Sequence, residues 1–223
     1  GISGFESAYT MLVDGNRVLV GGEFTTAGTV TSNYLAIWQN DLQAWTNLGE
    51  AAGKGPCNAV HAIAVKGSDI YLGGEFLLAG DVPVNKVVRW NGINWIPLGG
   101  AAENGVNNLV TSLLLIGDTL YTGGSFVATA DGFANRVSAY TGTVWLPLGG
   151  SITSGLNGWV HAVVFDGTDV YLGGRFNATG TSTVNHIVKW NNTLGQWSSL
   201  GPGTDGTVHA LAIVNGLLYV GGE

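Results

Sequence analysis

The chain is a succession of short apolar runs separated by tight polar turns, and the runs return in a fixed order. AYTMLV (8–13), VHAIAV (60–65), VTSLLLI (110–116), VHAVVF (160–165) and VHALAIV (208–214) each lead into a DGN, KGSD, GDT, DGTD or NG turn. Asp-Gly and Asn-Gly between apolar runs are hairpin signals, because these residues accept the positive φ that tight reverse turns require. The returning strand ends each time in a double glycine: LVGGEF (19–24), YLGGEF (71–76), YTGGSF (121–126), YLGGRF (171–176) and YVGGE (219–223). The first glycines stand at 21, 73, 123, 173 and 221, in steps of 52, 50, 50 and 48. A period of this length marks a repeat architecture.

Two further strands complete the unit. Twelve residues beyond each of the first four of these glycines stands an Asn (Asn33, Asn85, Asn135, Asn185), and five beyond that an aromatic (Trp38, Trp90, Tyr140, Trp190). A turn follows, then a strand carrying Trp45, Trp95, Trp145 or Trp197 and ending in Leu-Gly. Four short strands per repeat, β-branched and aromatic enrichment and no helical periodicity predict an all-β chain built of propeller-type blades. The repeats run approximately 8–58, 59–108, 109–158 and 159–206, with a partial one at 207–223, all in a single domain.

The double glycine closing strand two, the aromatic of strand three and the Trp of strand four resemble a kelch-type blade. Trp38 to Trp45 and Trp190 to Trp197 have the kelch-like gap, and Trp90 to Trp95 and Tyr140 to Trp145 are two residues shorter. The form GGxF…N…W…W…LG is similar to the tandem repeats of secreted bacterial surface proteins and of a fungal cell-polarity marker family. The resemblance implies a kelch-like β-propeller of four-stranded antiparallel blades, and extracellular or cell-surface placement. The repeats number four full ones plus two extra strands. That count fits an excerpt of a longer propeller, a five-bladed ring with an incomplete last blade, or a sheet completed by another chain, because open strand edges invite pairing.

Composition narrows the partners. A net charge of −7 with no basic block argues against nucleic acid, and no apolar run reaches the length of a membrane helix. Cys57 is the only cysteine, which excludes an intrachain disulfide and a Cys-based zinc site. Gly, at 37 residues, recurs at turn positions and does not form low-complexity tracts.

Candidate chemistry lies on the face carrying the longer connections, those from strand two to three and from strand four to the next strand one. His61, His161 and His209 occupy one repeat position there, held by Tyr9 and Thr111 in the other copies. They read either as imidazoles for a metal or anionic ligand, or as a variable strand position. Tyr34, Phe133 and Trp159 are the loop aromatics available to a carbohydrate. The four Asn residues read as structural, their amides closing turns before strand three, and the paired aromatics as core between blades. Glu50, Asp81, Glu103, Asp131 and Asp205 fall on the same face, but no spacing selects a catalytic pair and no nucleophile or metal motif is present. The expectation is a non-catalytic module without cofactor or metal, recognising protein or carbohydrate. The alternatives are assembly through unpaired terminal strands and, with less support, a glycan hydrolase.

Overall fold

A computed structural model describes residues 2–3, 7–48, 55–100, 103–149, 155–180 and 182–223. They form strands, bridges and turns and no helix, so among the described residues no helix is long and apolar enough to cross a membrane. Glu50 lies outside the described residues. The chain divides into two compact units, Gly1–Val110 and Thr111–Glu223.

The first unit holds two four-stranded antiparallel sheets whose strands are neighbours in chain order. One consists of Ser7–Asp14, Arg17–Glu23, Leu35–Gln39 and Ala44–Thr46, the other of Val60–Lys66, Asp69–Gly74, Val87–Trp90 and Trp95–Pro97. Apart from Val110, the first residue of its first strand, the second unit repeats this plan twice, with Val110–Ile116, Thr119–Gly124, Val137–Tyr140 and Trp145–Pro147, then Trp159–Phe165, Asp169–Arg175, Ile187–Asn191 and Gln196–Ser199. It ends in a two-stranded hairpin, Val208–Val214 with Leu217–Gly222. The connections from strand two to three fold into small hairpins of their own, such as Leu78–Ala79 against Val82–Pro83.

The double glycine has two separate steric causes. A Cβ on the second glycine would run into the backbone of its own hairpin: at Gly74 it would meet the carbonyl of Ala59, and at Gly174 that of Trp159. A Cβ on the first glycine would instead meet a valine of the following sheet, 2.6 Å from Val60 Cγ1 at Gly21 and 2.5 Å from Val160 Cγ1 at Gly123. The pair therefore closes a hairpin with one residue and joins neighbouring sheets with the other.

The residue after each repeat-defining Asn is left-handed although none is glycine: Tyr34 (φ 63), Lys86 (φ 64), Arg136 (φ 68) and His186 (φ 63). Both of its backbone groups are fixed. The Lys86 N–H donates to the Phe76 carbonyl at 3.0 Å, and the Lys86 carbonyl accepts from Gly74 N–H at 2.9 Å. The same two bonds recur at Tyr34, Arg136 and His186, linking GGxF to the Asn turn in every full repeat. Two specific hydrogen bonds hold a conformation that costs a side-chain-bearing residue about 1–2 kcal/mol.

The Asn itself reaches the connector leading out of its repeat. Asn85 Nδ2 donates to the Asn104 carbonyl at 3.0 Å, its N–H to Asn104 Oδ1 at 2.8 Å, and its carbonyl accepts from Val106 N–H at 3.1 Å. Asn185 Nδ2 likewise donates to the Pro202 carbonyl at 2.7 Å. A connector glycine lies against each Asn, at Gly55, Gly105, Gly155 and Gly203. Replacing Asn85 by Ala leaves the Asn104 carbonyl without this donor beside a buried amide. We expect a loss of about 1–3 kcal/mol in urea unfolding.

Cys57 performs a similar service with a weaker atom. Its Sγ accepts from the N–H groups of Leu77 (3.4 Å) and Leu78 (3.3 Å). At the equivalent place in the fourth repeat, Asn157 Oδ1 accepts from Asn177 and Ala178 N–H at 3.0 and 3.1 Å. An amide oxygen is the better acceptor, so Cys57→Asn is expected to raise stability by about 0.5–1 kcal/mol, read as a higher denaturation midpoint.

Each unit has its own core, Leu19, Leu35, Ile63, Leu72 and Phe76 among others in the first, Leu156, Val160, Leu172, Phe176 and Val188 in the second. The GGxF phenylalanines Phe24, Phe76 and Phe126 are wholly buried. The aromatics of strands three and four face one another directly: Trp38↔Trp45, Trp90↔Trp95, Tyr140↔Trp145 and Trp190↔Trp197. Their ring centroids lie 5.4, 5.0, 4.9 and 4.7 Å apart, within the range of favourable edge and tilted contacts. The two extra residues in the first and fourth repeats add one more cross-strand pair, Gln39↔Ala44 and Asn191↔Gln196. An even insertion keeps the faces of both strands unchanged, so the aromatic pair survives the difference in spacing.

Candidate functional site

The position shared by His61, His161 and His209 is a β-bulge. In the hairpins starting at Ser7, Val60, Trp159 and Val208 the register slips by one residue, between Ala8/Thr10, Val60/Ala62, Val160/Ala162 and Val208/Ala210. The residues skipped are Tyr9, His61, His161 and His209. A bulged residue leaves the ladder and its side chain is re-aimed, which is why bulges gather at binding surfaces. Beside it stands the residue following the double glycine, namely Glu23, Glu75, Arg175 or Glu223.

In the first unit, Tyr9 stacks on His61, with centroids 4.4 Å apart and planes 8° from parallel. Tyr9 Oη donates to Glu23 Oε2 at 2.8 Å, and His61 Nε2 lies 3.5 Å from Glu75 Oε1. The bond to Glu23, followed by burial, raises the Tyr9 hydroxyl above its ordinary pKa. Burial lowers that of His61, against the opposing pull of Glu75.

In the second unit, His161 and His209 have ring centroids 5.2 Å apart, and Trp159 stands edge-on to His161 at 6.4 Å. Trp159 pairs directly with Arg175 across the hairpin. His209 Nε2 is 3.6 Å from Glu223 Oε1. Burial, then His209 and Arg175, lower the pKa of His161. Thr111 is turned to backbone, its hydroxyl donating to the Val160 and Gly123 carbonyls.

The lowered histidines fix the sign of a pH effect. The folded state resists protonating His61 and His161, whereas the unfolded chain takes up these protons near the ordinary value of about 6.5. Stability is therefore full above that value and falls as pH drops through it toward the depressed folded values. Thermal midpoints between about pH 7.5 and 5.5 should decline, and a His61→Gln/His161→Gln double variant should flatten the decline.

Of the loop aromatics, Phe133 (66% exposed) stands on a small hairpin and Trp159 (48% exposed) opens the first strand of its sheet. Tyr34 does not stand free on the loop face: it packs against the first unit's core, at the left-handed position described above. Among the acids, Asp131 Oδ2 accepts from the Trp145 N–H at 2.7 Å, while Glu103 and Asp205 are exposed. Asp81 borders an open cleft of about 360 Å³ with Trp90, Ile93 and Trp95. No group of three His, Cys, Asp or Glu side chains positioned to hold a metal occurs among the described residues. Glu23, Glu75, Arg175 and Glu223 escape attention in the sequence because their charge changes sign between copies. Their signal is positional, since the residue after the double glycine ends strand two opposite the start of strand one.

No protein-family model matches the sequence, and no curated protein matches it. Among solved structures, the chain is similar to the extracellular domain of a hybrid two-component system of B. thetaiotaomicron, with a TM-score of 0.62 and 17% identity over 96% of this chain and 25% of that one. It is also similar to the computationally designed protein Ika8, with a TM-score of 0.52 and 15% identity over 96% of this chain and 68% of the other. The chain thus spans a quarter of the length of the first of these. At these identities the likeness is one of fold, a repeated all-β architecture.

Proposed function

We propose that the protein is a non-catalytic, kelch-like propeller module that recognises a protein or carbohydrate at the cell surface or outside the cell. The observation that carries this reading is the repeated bulge, which presents Tyr9 and His61 in the first unit, and His161 and His209 in the second, with neighbouring charges near the start of their strands. Four rings re-aimed out of the ladder at one repeat position suit contact with a ligand better than support of a core. The extracellular neighbour of similar fold supports the placement. Binding of glycan and extracellular-protein panels tests it. The ligand found should lose capture on Trp159→Ala and keep it on Leu194→Ala, an exposed residue of a turn between strands three and four. Equal loss in both variants, or in neither, would remove this face from the account.

A second reading, assembly between copies, is favoured by the hairpin 208–222. Leu217, Tyr219 and Val220 are exposed on its second strand. An edge of this kind can accept another strand. Light scattering against concentration separates the readings: a mass that climbs supports assembly, and a constant mass near 23.0 kDa rejects it.

A further inference from the structure

We propose that the cluster Trp159, His161, Arg175, His209 and Glu223 is a subsite for a carboxylated pyranose, a uronic acid residue of an acidic glycan. The assignment rests on the recognition reading above and specifies its ligand class. It starts from Arg175. This side chain is exposed and forms no ion pair among the described residues, while the same repeat position holds Ser125 in the preceding copy and a carboxylate, Glu223, in the following one. A guanidinium without a protein carboxylate offers a planar fork of donors that matches an external one.

The neighbours extend the match. Trp159 lies directly opposite Arg175 in the ladder and leaves about half of its surface open, giving a flat apolar face beside the cation. A uronate residue presents the complementary pair, an apolar ring face and a carboxylate on the same small unit. An acidic peptide supplies the carboxylate on a flexible stem without the flat face.

His161 and His209 complete the rim. The charged and titratable groups facing His161 are Arg175, from the strand paired with its own, and His209, from the following hairpin. Glu223 lies beside His209, and from the preceding sheet Thr111 contributes a hydroxyl already committed to backbone. Near neutrality the Arg175 cation and the Glu223 carboxylate offset each other, and burial disfavours a charge on His161. A bound uronate offsets the cost of protonating the partly buried His161 beside Arg175, so binding takes up protons and tightens on acidification. The uronate carboxyl, with an ordinary value of about 3.5, stays ionised throughout.

The test is calorimetric titration of the chain with an oligogalacturonate, with a neutral oligosaccharide of the same length, monomeric galacturonate and an oligoglutamate as comparisons. Oligogalacturonate should bind, and should bind several-fold tighter at about pH 5.5 than at about pH 7.5. Arg175→Gln should weaken it about tenfold at both pH values, and Trp159→Ala should weaken it by loss of the ring face. The double variant His161→Gln/His209→Gln should retain binding at pH 7.5 and lose the gain at pH 5.5. Weaker but still Arg175-dependent binding of the monomer supports a single-residue subsite, and equal binding of oligoglutamate overturns the sugar assignment. Oligogalacturonate binding that ignores Arg175→Gln, or absence of binding by a chain with an unchanged thermal midpoint, overturns the proposal. If a neutral glycan or a protein from the panels then still binds in a Trp159-dependent way, the recognition reading survives that failure.

Discussion

Replacing Gly74 by alanine is expected to cost at least about 3 kcal/mol, and to cost several times more than the same change at Gly67. At Gly74 the added methyl would be driven into the Ala59 carbonyl oxygen, with Ala59 C and Val60 Cα at 3.1 Å. All of these are backbone atoms of the same hairpin, so no side chain can swing aside. The only relief is to open the pairing that the bulge at His61 has already shifted. Gly67 has the opposite problem. Its φ is +59° but nothing lies within 4 Å of an added Cβ, so alanine there pays only for a left-handed backbone, about 1–2 kcal/mol. Urea midpoints of the two variants side by side decide the matter. Equal shifts would show that the double glycine serves only backbone freedom.

Phe126→Ala should lower stability by about 3–5 kcal/mol. The ring is wholly buried, and its carbonyl receives the Arg136 N–H at 2.9 Å, so packing and turn are anchored by one residue. The backbone bond survives the substitution, which leaves loss of the ring and the resulting cavity as the cause. Phe126→Leu keeps most of the volume and should cost less than about 1.5 kcal/mol. A small effect from Phe126→Ala would mean that the site collapses around the missing ring. The serine before it, Ser125, accepts from Arg136 Nη1 through its carbonyl, which further ties this corner to the Asn135 turn.

What the sequence reveals is whatever depends on residue type at a fixed spacing. The strands, the hairpin turns, the double glycines and the facing aromatics all require particular residues and so recur visibly. Tyr34, Lys86, Arg136 and His186 share one unusual backbone conformation but no chemistry, because the conformation is imposed by bonds from the phenylalanine and glycine of the same repeat. The sequence therefore suggests in Tyr34 a loop aromatic where the fold has a turn residue against the core. The partnership of the bulged residue with the one after the double glycine is hidden for a related reason. Pairing across a hairpin is visible only if the register is known, and the bulge changes that register by one. Phe133 and Trp159 stand out as aromatics in connections, and both are exposed. Nothing in the sequence says that Trp159 faces an arginine.

The two glycines of each pair act on different quantities when unfolding is treated as a chain of coupled units. Gly174 meets the Trp159 carbonyl of its own hairpin, so changing it alters the intrinsic stability of one repeat. Gly173 meets Val208 and Leu211 of the following hairpin, so changing it alters the free energy that couples one repeat to the next. A substitution at Gly174 should shift the transition while preserving its steepness. One at Gly173 should broaden or split it, because weakened coupling allows the hairpin 208–222 to melt ahead of the sheet it adjoins.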